Sequence, residues 1–219
     1  MANNIVAYVG IESFDTILYL SRIMQRLGRR VLVVDNSETL ALSRSVPRIS
    51  DLNTYETTIS YRRVDFTNMP VTEELAAEYD DVLIDCGMKV PVTSIVLFTK
   101  IIYVTDLFEY NIRRIAGIRD YNDCKCEKSL LIRNALYTKI AADKISLQIS
   151  KTISIDNTKV LYREDKDYEN SLNSHINQVF TLNLSKVYKE YLIDQVISMC
   201  SNFTRKEIKE AYRKAKNGD

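Results

Sequence analysis

The chain has few cysteines, one histidine, no tryptophan and almost no net charge, and each shortage excludes something. Cys86, Cys124, Cys126 and Cys200 are too sparse for a disulfide scaffold. The start, MANNIVAYVG, has no basic stretch ahead of an apolar run, so a secretory leader is not expected and a reducing, cytoplasmic setting is. A net charge of +1 gives no overall field to draw the chain onto nucleic acid or an anionic membrane. No run reaches the roughly 20 apolar residues of a membrane-spanning helix. The most apolar window, 90–108, is broken by Pro91, Lys100 and Asp106, and reads as a buried loop or helix followed by a core strand. A closed zinc site needs a full tetrahedral ligand set. Cys124-Lys125-Cys126 has no second cysteine pair to complete one, and His175 is the only histidine, so the reading is two thiols in a turn, with no metal and no Cys–His nucleophile.

What is present is an alternation of short, continuous β-branched runs with helical patterns. IVAYV (5–9), RVLVVD (30–35), DVLIDC (81–86), KIIYVTD (100–106) and SLLIRN (129–134) are the candidate strands, with TKVLYR (158–163) a sixth. Continuous rather than alternating hydrophobicity is the mark of a parallel sheet covered on both faces. Phe14, Ile17, Leu18, Met24 and Leu27 fall on one helical stripe that ends at Gly28, a left-handed helix stop. Further helices are expected at Thr72–Tyr79, Leu107–Tyr121, Ala141–Ser150, Tyr168–Val179 and Leu184–Cys200, with a charged helix in the tail from Phe203. Residues 46–70 form a polar excursion with a short strand or hairpin. The fold class expected is α/β, a three-layer sandwich around a mostly parallel sheet. The division expected is an α/β domain over 1–183 and a helical extension over 184–219.

The turn between the first strand and the first helix, VGIESFD, lies where open α/β sheets bind ligands, beyond the carboxyl ends of the strands. A phosphate site there needs small residues, a lysine and a magnesium-binding hydroxyl. This turn has Gly10 alone, two acids (Glu12 and Asp15), and no lysine: the first in the chain is Lys89. Like charges about 4 Å apart repel by ~4 kcal/mol at an effective dielectric near 20, so Glu12 and Asp15 would oppose a triphosphate. The alternative is a self-capped helix, with Ser13 as N-cap and Asp15 in a first turn that favours negative charge. Asp35 and Asp85 end two strands, where carboxylates cap neighbouring loops. Gly87 allows a tight turn, and Asn134 ends the fifth strand.

The order and spacing of these segments resemble the MinD/ParA-type P-loop ATPases. RVLVVD resembles the family's second strand with its terminal Asp, YDDVLIDCG its strand ending in Asp-x-Gly, KIIYVTDLFEYNIRRI the next strand and helix, and LLIRNALY the strand whose Asn lies near adenine. The resemblance covers roughly residues 4–180. Counting from Gly28 places the family's glycine-rich turn on Val9, Gly10, Ile11 and Glu12, its P-loop lysine on Ser13, its magnesium-binding Thr on Phe14 and its additional lysine on Tyr8. A two-residue shift brings Thr16 to the hydroxyl position but Asp15 to that of the lysine. The resemblance therefore implies a degenerate nucleotide pocket, with Gly10, Glu12, Ser13, Asp15, Asp35, Asp85, Gly87 and Asn134 as its remnants.

The function expected is that of a pseudo-ATPase scaffold: not an enzyme, without cofactor, binding protein partners and itself as a dimer. The CpaE/TadZ-like branch of the family points to localisation of a pilus or secretion assembly, with membrane association only through a partner. Residual ATP or ADP binding stays open on the adenine side. One alternative is an atypical ATPase in which an arginine replaces the lysine. Arg22 and Arg26 lie too far down the helix, so such an arginine has to come from elsewhere. Another is a nucleic-acid or membrane adaptor acting through Arg62, Arg63 and the basic tail, whose thin apolar stripe is Phe203, Ile208 and Tyr212. Fourteen tyrosines, among them Tyr79, Tyr103, Tyr110 and Tyr121, suit either a core or an interface.

Overall fold

The computed structural model describes residues 4–47, 58–89, 97–136, 142–178 and 181–217. Parts of the 90–108 window and of the 46–70 excursion thus lie outside the described residues. The chain runs β1 (Asn4–Gly10), α1 (Phe14–Arg26), β2 (Val31–Asp35), α2 (Ala41–Arg44), β3 (Ile59–Tyr61), β4 (Val64–Thr67), α3 (Glu73–Ala77) and β5 (Asp81–Gly87). It continues through β6 (Lys100–Thr105), α4 (Glu109–Gly117), β7 (Glu127–Ala135), α5 (Ala142–Ser150), β8 (Asn157–Tyr162), α6 (Asp165–Asn177), α7 (Lys186–Met199) and α8 (Arg205–Asn217). The strands form one eight-stranded sheet in the order β3-β4-β2-β5-β1-β6-β7-β8. Every adjacent pair is parallel except the β3–β4 hairpin. The expected α/β sandwich is the one observed.

The layers follow from strand periodicity. Along β1, Val6 and Tyr8 face one apolar cluster with α1, α7 and α8, whereas Ile5, Ala7 and Val9 face a second cluster with α4 and α5. Both faces are covered, which is why β1, β2, β5 and β6 read as unbroken apolar runs. The 184–219 stretch forms α7 and α8; Leu192, Ile193, Val196 and Ile208 are fully buried in the cluster that holds α1.

Local chemistry sets the ends. α1 stops at Gly28 (φ +81°), with Arg29 N–H bonded to Met24 O and Gly28 N–H to Gln25 O, a closed C-terminal cap. Thr72 caps α3 by accepting from Leu75 N–H at 3.2 Å. The strand order reverses at β1, whose neighbours are β5 and β6, so the turn after Gly10 sits at the topological switch point of the sheet.

Candidate functional site at the carboxyl end of the sheet

At the start of α1 stands a cation from a distant strand. Arg133, near the end of β7, places Nη1 2.8 Å from Asp15 Oδ1 and Nη2 2.6 Å from Asp15 Oδ2, a two-pronged ion pair. Nη1 also donates to Glu12 O at 3.0 Å, tying the turn itself. Asp15 is fully buried and the Arg133 side chain is 12% exposed. Burial by itself lowers the guanidinium's pKa, but Asp15 and the Tyr188 phenol beside it outweigh that and leave it raised. The ring of Tyr188, from α7, lies 5.9 Å from the guanidinium carbon, and its hydroxyl is 2.5 Å from Thr16 Oγ1. The hydroxyl brought nearest to the family's magnesium position by the shifted alignment is thus bonded inside the protein.

The helix start is spoken for in the same way. Asp15 Oδ1 accepts from Thr16 N–H at 2.7 Å, using an amide that faces an anion at an open helix N-terminus. Ser13 occupies the N-cap position, as expected, but makes no side-chain cap: its hydroxyl donates to Ile11 O at 3.1 Å. The capping carboxylate comes from Asp15 instead. Gly10 (φ +138°) is required by its neighbour strand, since a Cβ there would lie 2.0 Å from Val104 O. Its place next to β6 is enough to require the glycine.

Beside this pair lies an acidic corner made by the ends of β1, β2 and β5. Asp35 Oδ1 accepts from Ser37 N–H and Oγ–H, and Oδ2 from Ser43 N–H and Oγ–H, so its carboxylate organises the loop into α2. Asp85 Oδ1 accepts from Gly87 N–H at 3.1 Å, and Gly87 takes φ +53° to allow it. Asp85 Oδ2, Glu12 Oε2 and the Tyr8 hydroxyl are buried with no hydrogen-bond partner among the described residues. Burial, then repulsion from Asp35 and Glu12, pushes the Asp85 carboxyl well above the usual carboxylate range. Glu12 is also raised, by burial, although Thr39 Oγ1 donates to its Oε1 at 2.5 Å. Among the described residues no three His, Cys, Asp or Glu side chains are placed to hold a metal ion.

Asn134 follows Arg133 with φ +53° and an exposed side chain, at the junction of two clefts. The smaller, about 180 Å³, is lined by Glu12, Asp15, Arg133, Tyr168 and Tyr188 among others. The larger, about 380 Å³, is lined by Asp106, Leu107, Phe108, Leu136, Arg163 and Tyr168. Around it large apolar side chains face outward: Phe108 and Tyr110, stacked at 5.6 Å, together with Leu136 and Tyr168. Tyr168 begins a stripe on α6 that continues through Leu172 and Ile176, one turn apart each, all three exposed. An apolar band of this extent is a feature of interaction surfaces.

The structure brings Gly10, Glu12, Ser13, Asp15, Asp35, Asp85 and Gly87 to one end of the sheet, with Asn134 beside them. The residue that organises the corner, Arg133, is missing from the sequence-based set, although it adjoins Asn134. His175 pairs with no cysteine: its Nδ1 is 3.0 Å from Ser45 Oγ and its ring 5.5 Å from Phe14.

A parallel sheet reversing at β1, with helices on both faces and a strand–turn–helix at the reversal, is the architecture of the P-loop nucleoside triphosphatases. Within that class the fold is the one shared by the MinD/ParA ATPases. It is similar to a plasmid partition protein from Borrelia burgdorferi bound to AMPPNP (TM-score 0.61, 15% identity, 91% of this chain and 98% of that one). It is similar also to the cell division ATPase MinD from Pyrococcus furiosus (0.59, 14%, 95% and 99%) and to a ParA family ATPase from Chlorobium tepidum TLS (0.58, 16%, 87% and 96%). No protein-family model matches the chain, and neither does any curated protein sequence.

Proposed function

We propose that the chain is a MinD/ParA-fold scaffold that has lost triphosphate binding and acts through protein contacts. One observation carries the reading: the Arg133 guanidinium, which reaches the turn before α1, is committed to Asp15, a carboxylate of the protein itself. To seat a phosphate the chain would have to break a buried two-pronged ion pair and bring the anion against Glu12 and Asp85. The exposed band from Phe108 to Ile176 is the surface through which partners dock, a second copy of the chain included. By analogy of fold, the CpaE/TadZ-like role in placing a pilus or secretion assembly is the specific task we assign to it.

Calorimetry of the full chain with Mg-ATP tests this. The expected outcome is no saturable heat at micromolar nucleotide and no turnover. The surface arm replaces Phe108, Leu136 and Leu172 by serine and compares what wild type and variant retain from the native cell; loss of the same proteins from the variant supports docking there.

A second reading is an atypical ATP-binding ATPase. The shared fold with ATPases favours it, as does the AMPPNP in the Borrelia burgdorferi relative. In that reading Arg133 leaves Asp15 when nucleotide arrives and takes the lysine's role. Saturable Mg-ATP binding abolished by Arg133→Met establishes it and overturns the scaffold.

A further inference from the structure

At the opposite end of the sheet from this corner, the turn between α4 and β7 carries two cysteines that pack at the margin of the second apolar cluster and are catalytic in no reading above. Cys124 Sγ donates to Cys126 Sγ at 2.9 Å. Both residues are half-buried, whereas Cys86 and Cys200 are fully buried on other elements. The turn that holds them is pinned. Cys124 N–H bonds Tyr121 O, Asn122 Nδ2 donates to Thr152 O, and Lys128 Nζ donates to Asn122 O at 2.9 Å. Behind the sulfurs stands Tyr103, packed edge-on against Tyr121 at 6.3 Å, its hydroxyl buried with no partner among the described residues.

We propose that Cys124 and Cys126 are a reversible dithiol site that closes to an intramolecular disulfide by exchange with a small disulfide such as oxidised glutathione. Residues two apart lie within about 7 Å of one another on any chain, near the span a disulfide bridges, and here the side chains already converge. The chemistry balances in two displacements. One cysteine gives up its proton and attacks a sulfur of the small disulfide, whose S–S bond breaks. The departing small thiolate takes up a proton, and the protein carries a mixed disulfide. The second cysteine, deprotonated in turn, attacks the protein-side sulfur and expels the second small thiolate, which is protonated. Two protein thiols are oxidised and one small disulfide is reduced to two thiols.

Lys128, buried and bonded through Nζ to Asn122 O, favours the thiolate of Cys126, while Asp123 and Glu127 flank the pair in the chain. Burial, with the bond from Cys124, nonetheless pushes the Cys126 thiol up to about 12, so the exchange quickens as pH rises. A ring closed over so short a loop gains little from loop entropy, which keeps the bond easily reduced and the site reversible. The inference is independent of the scaffold reading.

The full chain is equilibrated in glutathione buffers of graded oxidised-to-reduced ratio, quenched with acid and alkylated, then weighed intact and peptide-mapped. The expected result is a species carrying two alkyl groups where the reduced chain carries four, its bond mapped between Cys124 and Cys126, and restored by reduced glutathione. C124S and C126S, with folding checked by circular dichroism, are each expected to keep one glutathione on the remaining cysteine. Four alkylated thiols at every ratio overturn the proposal. So does a bond to Cys86, to Cys200 or between chains, or wild type that stops at the mixed disulfide. Should either variant fail to fold, the wild-type map alone decides.

Discussion

Asp15 and Arg133 are 118 positions apart, and their pairing is what fills the corner at the start of α1. A buried ion pair adds little net stability against an apolar isostere, but removing one member leaves the other charge buried and uncompensated. Arg133→Met is therefore expected to destabilise the chain by about 3–5 kcal/mol in chemical denaturation, and Asp15→Asn added to it to recover a large part. If R133M costs under about 1 kcal/mol, the pair does not organise the site. The position was not legible in the sequence. SLLIRN shows a strand that ends in polar residues, and nothing local says that the arginine reaches the first turn of a helix so distant in the chain. Asp15 was legible as a helix-start carboxylate, though the bond falls to it and not to Ser13.

Asp85 carries a second residue-scale expectation. Unfolded, its carboxyl titrates near ~3.9. Folded, burial and then Asp35 and Glu12 raise it well above that. Between the two values the folded state keeps a proton that the unfolded chain has lost, so this group's contribution to stability falls as pH rises. Asp85→Asn keeps the acceptor for Gly87 N–H and has no proton to lose. Its stability relative to wild type should thus increase from about pH 4 upward. A difference that stays flat between about pH 3 and pH 8 would mean that Asp85 is not strained by its neighbours.

At the scale of elements, the strands were legible because burial on both faces writes itself as unbroken Val, Ile and Leu. α1 was legible because its stripe and its glycine stop agree. The four-residue α2 was not. It has no period to read, begins after Leu40 in the left-handed region (φ +52°), and is held by Asp35 to Ser43. The β3–β4 hairpin was expected only as a short strand or hairpin somewhere within 46–70 and could not be placed, because its turn is Arg62-Arg63, both at positive φ (50° and 61°), without the Asn or Gly that normally marks such turns. What reaches that turn is Arg22, buried on α1, whose Nη1 donates to Arg62 O at 2.7 Å. That bond uses backbone, so R62N/R63G retains it while relieving the strain, with an expected gain of about 0.5–1 kcal/mol in thermal or chemical unfolding. Gly10→Ala works in the other direction. The new methyl meets Val104 O across the β1–β6 pair, and a loss of about 1–3 kcal/mol is expected. A neutral Gly10→Ala would return the glycine to ligand binding as its reason.

For the whole molecule the question is where the α/β unit ends. The sequence suggested a helical extension from residue 184 ending in a charged tail from Phe203, whose thin apolar stripe is Phe203, Ile208 and Tyr212, and the alternation of strands and helices gave the sandwich without that extension. The arrangement of α7 and α8 was beyond sequence reading because a helix of mean polarity hides its few anchors. Ile208, Ala211, Tyr212 and Ala215 are all buried beside α1 and α7, and the Tyr212 hydroxyl donates to Leu182 O at 2.6 Å. Arg205 bonds Asp194 at 2.8 Å and also pairs with Glu190, so charges outside and apolar residues inside both hold α8 down. The apolar stripe a membrane-docking helix would insert is turned into the protein, and no described helix is long and apolar enough to cross a membrane. If α8 is part of the same cooperative unit, Ile208→Ala should cost about 2–5 kcal/mol, the range for a truncated buried aliphatic. Removal of the chain after Cys200 should then abolish a single sharp unfolding transition. A separable appendage predicts the reverse: an unchanged main transition after truncation, and an Ile208→Ala effect confined to local protease sensitivity of residues 205–217. Urea unfolding followed in parallel by tyrosine fluorescence and far-ultraviolet circular dichroism distinguishes the two, since coincident curves in the full chain and their loss on truncation occur only if the covering helix and the sheet fold together.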